Sequence, residues 1–357
     1  MRDIRIIYFT KYTRAGASSR YRSYQYFEGL QNAGNDITAF ALFPDRYVEV
    51  FYKTGRKPLL TVFRSYLQRI FQLLSLKDHD IVFVEYELFP YLPLWVEKLF
   101  LKKFRKLVLD YDDAIFHNYD DSNNPIVRRF LSDKIYKLCG LADLVITGSP
   151  YLTKSLEAHA EKIVEIPTSL DLSRYQNVKT SESNTFRIGW IGSKTTSINI
   201  QEIIPAIRQL QVSTKLMLVL IGFDTSQVEL LKDLPFEVVT WTASGEADTI
   251  ASFDVGIMPL SDNKFNLGKC GFKLLQYMAC GLPTISSPFP ANIKINRDNN
   301  NLFAVTSEEW LNAFENVLAD RQYFKKTGVR NLEIVKEFYS VQANLPEYIR
   351  LFNELKN

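Results

Sequence analysis

The chain has 357 residues, 46% hydrophobic and 23% charged. That is enough apolar material for two buried cores, at a length that favours two domains. A net charge of +3 is too small to argue for nucleic acid as a partner. Three cysteines, Cys139, Cys270 and Cys280, make neither a disulfide framework nor a zinc spacing, and the three histidines are scattered. A reducing, cytoplasmic setting is expected, with little for a histidine-built metal site.

Residues 4–9 are apolar and read as a first strand, not a signal peptide. No apolar run approaches the ~18 residues of a membrane-spanning helix. A glycine-bearing loop follows, from Thr10 to Arg22. Ser18 or Ser19 suits a helix N-cap, and Gly16 and Arg20 mark the loop-to-helix corner. Arg14 and Arg22 are further candidates to reach an anion, although arginines on a helix are more often surface residues. Strands are expected at 37–42, 81–86, 107–111, 144–147 and 163–166. Between them, Leu59, Leu60, Phe63, Leu67, Ile70, Phe71 and Leu74 recur at helical spacing. Lys53, Arg56, Lys57, Arg64, Arg69 and Lys77 surround that pattern without an acid, and residues 98–106 form a second basic stretch. Basic amphipathic segments can lie on anionic membrane surfaces, although most charge runs are solvated faces.

The 107–111 strand ends in Asp110, Tyr111, Asp112 and Asp113. Carboxylates at a strand's end are costly unless they bind something. Two readings stay open: a polar ligand held by Asp112 and Asp113, or an Asp-x-Asp metal site. Asp110 could also simply cap a helix.

Residues 173–185 are polar and aperiodic and read as a linker. Beyond it the pattern repeats, with strands expected at 186–191, 216–221, 236–241, 255–260, 284–286 and 302–305, and helices at 273–279 and 308–318. Strands apolar on both faces and separated by helices imply parallel sheets. The fold expected is α/β, with two doubly wound, Rossmann-like domains facing each other across a cleft. The boundaries are 1–180, 181–338, and a last helical segment 339–357.

The second half carries the motifs. Gly189-Trp190-Ile191-Gly192-Ser193-Lys194 closes its first strand, with Gly192 allowing close approach of backbone to a ligand and Ser193 and Lys194 facing a diphosphate. A lone Gly-x-x-Gly is usually just a turn. Gly222-Phe223-Asp224 and Trp241 end neighbouring strands, with Trp241 either a stacking wall or a core residue. Asp254 to Leu260 is a strand ending near a proline. Gly268-Lys269-Cys270-Gly271-Phe272-Lys273-Leu274-Leu275-Gln276 then opens a helix that stops at Gly281-Leu282-Pro283. A helix N-terminus there favours a phosphate, and Lys269 and Lys273 add charge.

The run from Gln276 to Pro283 resembles the donor-binding signature of the retaining glycosyltransferases of family 4, which have the GT-B fold. Gln276 stands where that family has its second Glu, and Gly268 where it has the first. The resemblance implies a nucleotide diphosphate sugar, UDP or GDP, as donor and a saccharide or lipid-linked saccharide acceptor of a growing cell-surface glycan. It implies Lys273 and Lys194 stabilising the leaving diphosphate and Gln276 on the ribose. Gly16, Arg20, Gly192, Ser193, Trp241, Gly268, Lys269, Phe272 and Leu274 would line the donor, with Asp112 and Asp113 near the reacting sugar. No cofactor or metal is expected, since the nucleotide sugar is itself a substrate. It also implies a final helix crossing back to the first domain. Rival readings are an epimerase of the same fold and a metal-dependent transferase using Asp110–Asp113. A dehydrogenase would need a Gly-x-Gly-x-x-Gly set that neither half offers. A non-enzymatic sugar-binding protein would usually carry an export signal.

Overall fold

The computed structural model describes residues 4–55, 57–76, 78–176, 178 and 184–356. The boundary expected at 180/181, most of the later linker, Arg56, Lys77 and the side chain of Lys53 lie outside what is described. Two compact units emerge. One comprises Met1–Ser169, Leu267–Cys270 and Asn344–Asn357, the other Leu170–Asn266 and Gly271–Ala343.

The first unit holds β1 (Ile4–Tyr12), β2 (Asn35–Phe43), β3 (Ile81–Glu85), β4 (Leu107–Tyr111), β5 (Leu144–Thr147) and β6 (Ile163–Glu165). They pair in parallel in the order β2-β1-β3-β4-β5-β6. The second holds β7 (Phe186–Ile191), β8 (Leu216–Ile221), β9 (Phe236–Val239), β10 (Val255–Met258), β11 (Thr284–Ser286) and β12 (Leu302–Phe303). Their order is β12-β11-β10-β7-β8-β9, again all parallel. Strands such as β3, β4 and β5 are buried along their whole length, so helical crossovers must cover both faces.

Three strands stop two residues short of their expected ends at Trp241, Leu260 and Val305, and β3 and β6 stop one residue short. Pairing decides this: Ile221 faces Val239, and Ser286 faces both Met258 and Phe303 as the last registers. The start of the expected linker is not loose, because Leu172–Tyr175 is a short 3-10 turn with Tyr175 buried.

The serines expected to cap the first helix do not cap it. The helix is Ala17–Arg22 with Gly16 at the N-cap and no side-chain cap. The Ser19 hydroxyl instead donates to Glu85 Oε2 (2.5 Å) and accepts from the Tyr12 N–H (2.9 Å). Arg22 does not face solvent either. Its guanidinium grips both oxygens of Asp110 (2.5 and 3.0 Å) and donates to the Ile166 carbonyl (2.8 Å). Asp110 is thus taken up by an internal ion pair and not offered to a ligand. Burial opposes the charge of Arg22, but Asp110 outweighs it and holds its pKa well up. Arg69, expected on a basic surface, is also buried, bonded to the Thr10 and Phe40 carbonyls (3.0 and 3.2 Å).

Breaking a buried ion pair strands the surviving charge. Asp110→Ala should therefore cost about 3–5 kcal/mol of unfolding free energy, read by urea titration.

Candidate functional site

Each sheet reverses its strand order at one place, and doubly wound sheets bind ligands beyond the strand ends there. In the first unit that place lies between β1 and β3. Glu85 closes β3, buried, and accepts from Ser19, Ser23 (2.5 Å) and the Lys11 N–H (3.0 Å). Burial pushes its carboxyl up to about 7 despite those three donors. The next residue, Tyr86, has φ 62°, a left-handed conformation that costs a tyrosine about 1–2 kcal/mol. Its hydroxyl donates to Asp112 Oδ1, and the Lys11 ammonium lies 4.9 Å from its ring centre.

Asp112 and Asp113 follow β4. Asp113 pairs with Lys269 (2.8 Å), which the structure counts in the first unit. Burial works against the Lys269 charge, but Asp113 holds its ammonium above the ordinary value. Burial, then the Asp113 charge, push Asp112 up to about 6 against the pull of Arg22 and Tyr86. The Cys270 thiol donates to the Asp112 carbonyl (2.7 Å), and burial keeps it protonated. Gly268 accepts from the Ser149 hydroxyl (3.3 Å). A Cβ on Gly268 would sit 2.5 Å from the Ala114 Cβ and 2.9 Å from its backbone nitrogen, so no glutamate fits there without moving backbone. Gly16 accepts from the Arg20 N–H (3.0 Å), and Arg20 turns back onto the Arg14 carbonyl (3.2 Å).

In the second unit the order reverses between β7 and β10. Gly192 leaves β7 against the Trp190 ring, where any Cβ would come within 2.3 Å. Ser193 caps the turn Lys194–Ile203 in a capping box with Thr196. Lys194 is exposed and close enough to Asp224 to help hold that carboxyl down. After β10, Gly271 takes φ 68° and opens the helix Phe272–Ala279. That conformation suits glycine and turns the chain sharply into the helix. Lys273, in the first turn, lies 4.6 Å from the Trp190 ring centre and so reaches the Gly192 corner. Leu274 is buried, Phe272 half-buried. Gln276 is buried and donates to the Tyr175 hydroxyl (3.4 Å). Trp241 is 36% exposed, with its indole N–H on Glu246.

The structure thus brings Gly192 and Lys273 together in one unit, and Asp112, Asp113, Lys269 and Gly268 in the other. Among the described residues no group of three or more His, Cys, Asp or Glu side chains is placed to hold a metal. Sequence reasoning missed Glu85, Tyr86, Tyr175 and Glu246. Glu85 had a usable signal, a carboxylate closing a wholly apolar strand. The other three had none, since a φ value and a partner in space leave no trace in the residue order.

Residues 185–320 match the family model described as Glycosyl transferases group 1. No curated protein matches the chain. The fold is GT-B, as likenesses to solved structures show. The glycosyltransferase from Rickettsia africae ESF-5 superposes with a TM-score of 0.71 at 13% identity, covering 99% of each chain. HepE of Anabaena, solved with UDP-glucose, gives 0.65 at 14% identity over 99% of this chain and 100% of its own. The α,α-trehalose 6-phosphate synthase of Burkholderia multivorans gives 0.66 at 12% identity over 99% of both.

Asp112 rises from 3.8 to about 6 on folding, so the folded state binds an extra proton between those values. Its contribution to stability is full below the lower value and is lost as pH rises through the upper one. Urea unfolding of Asp112→Asn against the parent should show the variant gaining relative stability from about pH 4 to pH 6, with the difference level above pH 7.

Proposed function

We propose that the chain is a glycosyltransferase that moves a sugar from a nucleotide diphosphate sugar, UDP or GDP, to an acceptor hydroxyl with retention. The observation that carries this reading is the Gly192–Lys273 corner at the reversal point of the second sheet, inside the segment that matches the group 1 family. The N-terminus of Phe272–Ala279 offers N–H groups to a diphosphate, and Gly192, which has no side chain, allows its close approach. Lys273 and Lys194 stabilise the charge that develops on it. The C1–O bond to the phosphate breaks, and the acceptor oxygen bonds to C1 on the same face. The departing phosphate oxygen takes the acceptor's proton. Retention and the family 4 assignment rest on the Gln276–Pro283 run. The UDP-glucose held by HepE favours UDP as nucleotide.

Asp112 and Asp113 are the groups we assign to sugar hydroxyls. A metal-dependent reading of Asp110–Asp113 has less support, because Arg22 takes both oxygens of Asp110 and Lys269 pairs with Asp113. We therefore propose a reaction without a metal. An epimerase of this fold would convert the donor with no acceptor present.

For the acceptor we propose a lipid-linked or cell-surface saccharide met at an anionic membrane. The helix Leu59–Leu74 turns Ser65, Arg69 and Leu73 inward. It leaves Leu59, Leu60, Phe63, Leu67, Phe71 and Leu74 exposed, Leu59 by 79%. Trp95 and Leu99 stand out on Leu94–Leu101, and Arg64, Lys98, Lys102 and Lys103 are exposed on or beside these helices. Apolar side chains rimmed by cations suit an anionic lipid surface. Among the described residues no helix is long and apolar enough to cross a membrane, so the contact is peripheral.

Thermal-shift titration with UDP, GDP, ADP and NADH, each with and without Mn²⁺, tests the donor. Stabilisation by UDP or GDP without metal is expected. A response only with Mn²⁺ returns the metal reading, and a response to NADH alone ends the transferase claim. Lys273→Ala should lower kcat by about 100-fold. The double variant Phe63→Ser, Phe71→Ser should sediment less with anionic vesicles than the parent does. Equal sedimentation of the parent with anionic and neutral vesicles removes the membrane contact.

A further inference from the structure

We propose that Glu246 is a positioning residue. It fixes the plane of Trp241 as a stacking wall for the donor's nucleobase and, through Tyr175, holds Gln276 in the same frame. This rests on the nucleotide-binding reading above and concerns the second unit alone.

Glu246 opens the helix Glu246–Ala251 and is 3% exposed. A buried carboxylate is costly unless its charge and lone pairs are met. Here they are met from three directions. Oε2 accepts from the Trp241 indole N–H at 2.5 Å, Oε1 from the Tyr175 hydroxyl at 2.7 Å, and the Arg174 guanidinium lies 3.6 Å away. The Tyr175 hydroxyl in turn accepts from the Gln276 amide at 3.4 Å. One carboxylate thus ties together the chain after β9, the turn Leu172–Tyr175 and the helix Phe272–Ala279.

Trp241 is the part of this frame that faces outward. Its indole has one donor, and Glu246 occupies it, so the ring edge is pinned while 36% of the residue stays exposed. Trp241 leaves the sheet beside Gly222, which follows β8 with a φ of 71°. A Cβ there would lie 2.4 Å from the Gly192 carbonyl oxygen and 3.9 Å from the Trp241 Cβ. The chain just past β7, β8 and β9 therefore comes together beside this residue. A wall whose orientation is set before binding loses less freedom when a base stacks on it. Because the indole N–H is spent on Glu246, the wall recognises a π face without favouring one base.

Isothermal titration with UDP, GDP and inorganic pyrophosphate tests this on the parent, Glu246→Gln, Trp241→Ala and the double variant. Glu246→Gln should weaken each nucleotide that binds by about tenfold, the size of one hydrogen bond to a charged group. Pyrophosphate, which has no base, should bind unchanged. Adding Glu246→Gln to Trp241→Ala should cost clearly less than Glu246→Gln alone, the remainder being the part that acts through Tyr175 and Gln276. Equal weakening of nucleotide and pyrophosphate, full additivity, or no effect each overturns the proposal. A parent that binds neither nucleotide overturns the donor reading instead. Acrylamide quenching without ligand then tests the positioning by itself. Glu246→Gln should expose Trp241 to more quenching, and the increase should vanish in a Trp241→Phe background; an unchanged quenching curve refutes it. Should Glu246→Gln fold poorly, Tyr175→Phe keeps the ring, removes one link of the frame, and is expected to weaken nucleotide alone.

Discussion

The Arg22–Asp110 ion pair organises the edge of the first unit. Both partners are buried, and the guanidinium spans three elements: its own helix, the end of β4 and the carbonyl just past β6. Two charges taken out of water gain little net stability, but neither can be removed singly. Their shared geometry fixes where the chain after β4 emerges, and so where Asp112 and Asp113 stand. Glu85 works in the same way one strand over, holding the helix Ala17–Arg22 through Ser19 and Ser23. Strand-end carboxylates thus divide by role. Asp110 and Glu85 anchor secondary structure, while Asp112 and Asp113 are left half-buried beside Lys269.

The second unit solves a different problem, close approach. Trp190 is wholly buried yet reaches the rim, where Gly192 lies against one part of its ring and Lys273 lies over it. An aromatic face under an ammonium stabilises the cation without neutralising it, here at a place suited to an anion. Glu246 imposes the same kind of order on Trp241. In both cases a buried side chain, Trp190 or Glu246, sets the position of a group nearer the surface.

The helix Leu59–Leu74 is apolar on two sides, with Leu73 buried in the core and Tyr66 and Ile70 packed against it while a second apolar stripe is exposed. Its buried positions include Ser65 and Arg69, and Arg69 satisfies carbonyls at the ends of β1 and β2. The exposed apolar stripe lies outside that inner contact. Six large side chains in the open are a sizeable apolar patch, which is uncommon on a surface that meets only water.

All twelve strands among the described residues were legible in the residue order, because β-strands buried on both faces appear as short apolar runs between helical periods, as at 144–147 and 216–221. The helix opening at Gly271 and Phe272 was legible for the same reason, from a glycine before an apolar period. Chain order by itself also bounded the class, two parallel α/β units, and singled out Lys273, Gly192 and Asp112 as candidates. It could not tell which charged groups are spent internally. Arg22, Arg69 and Asp110 look like their solvent-facing neighbours until the fold supplies partners 88, 59 and 88 residues away. Nor could it supply the φ of Tyr86 or the frame around Glu246, since both are consequences of where distant strands end. Periodicity is a local property and survives in sequence. The pairing of buried charges is a property of three-dimensional packing, and only the tertiary structure decides it.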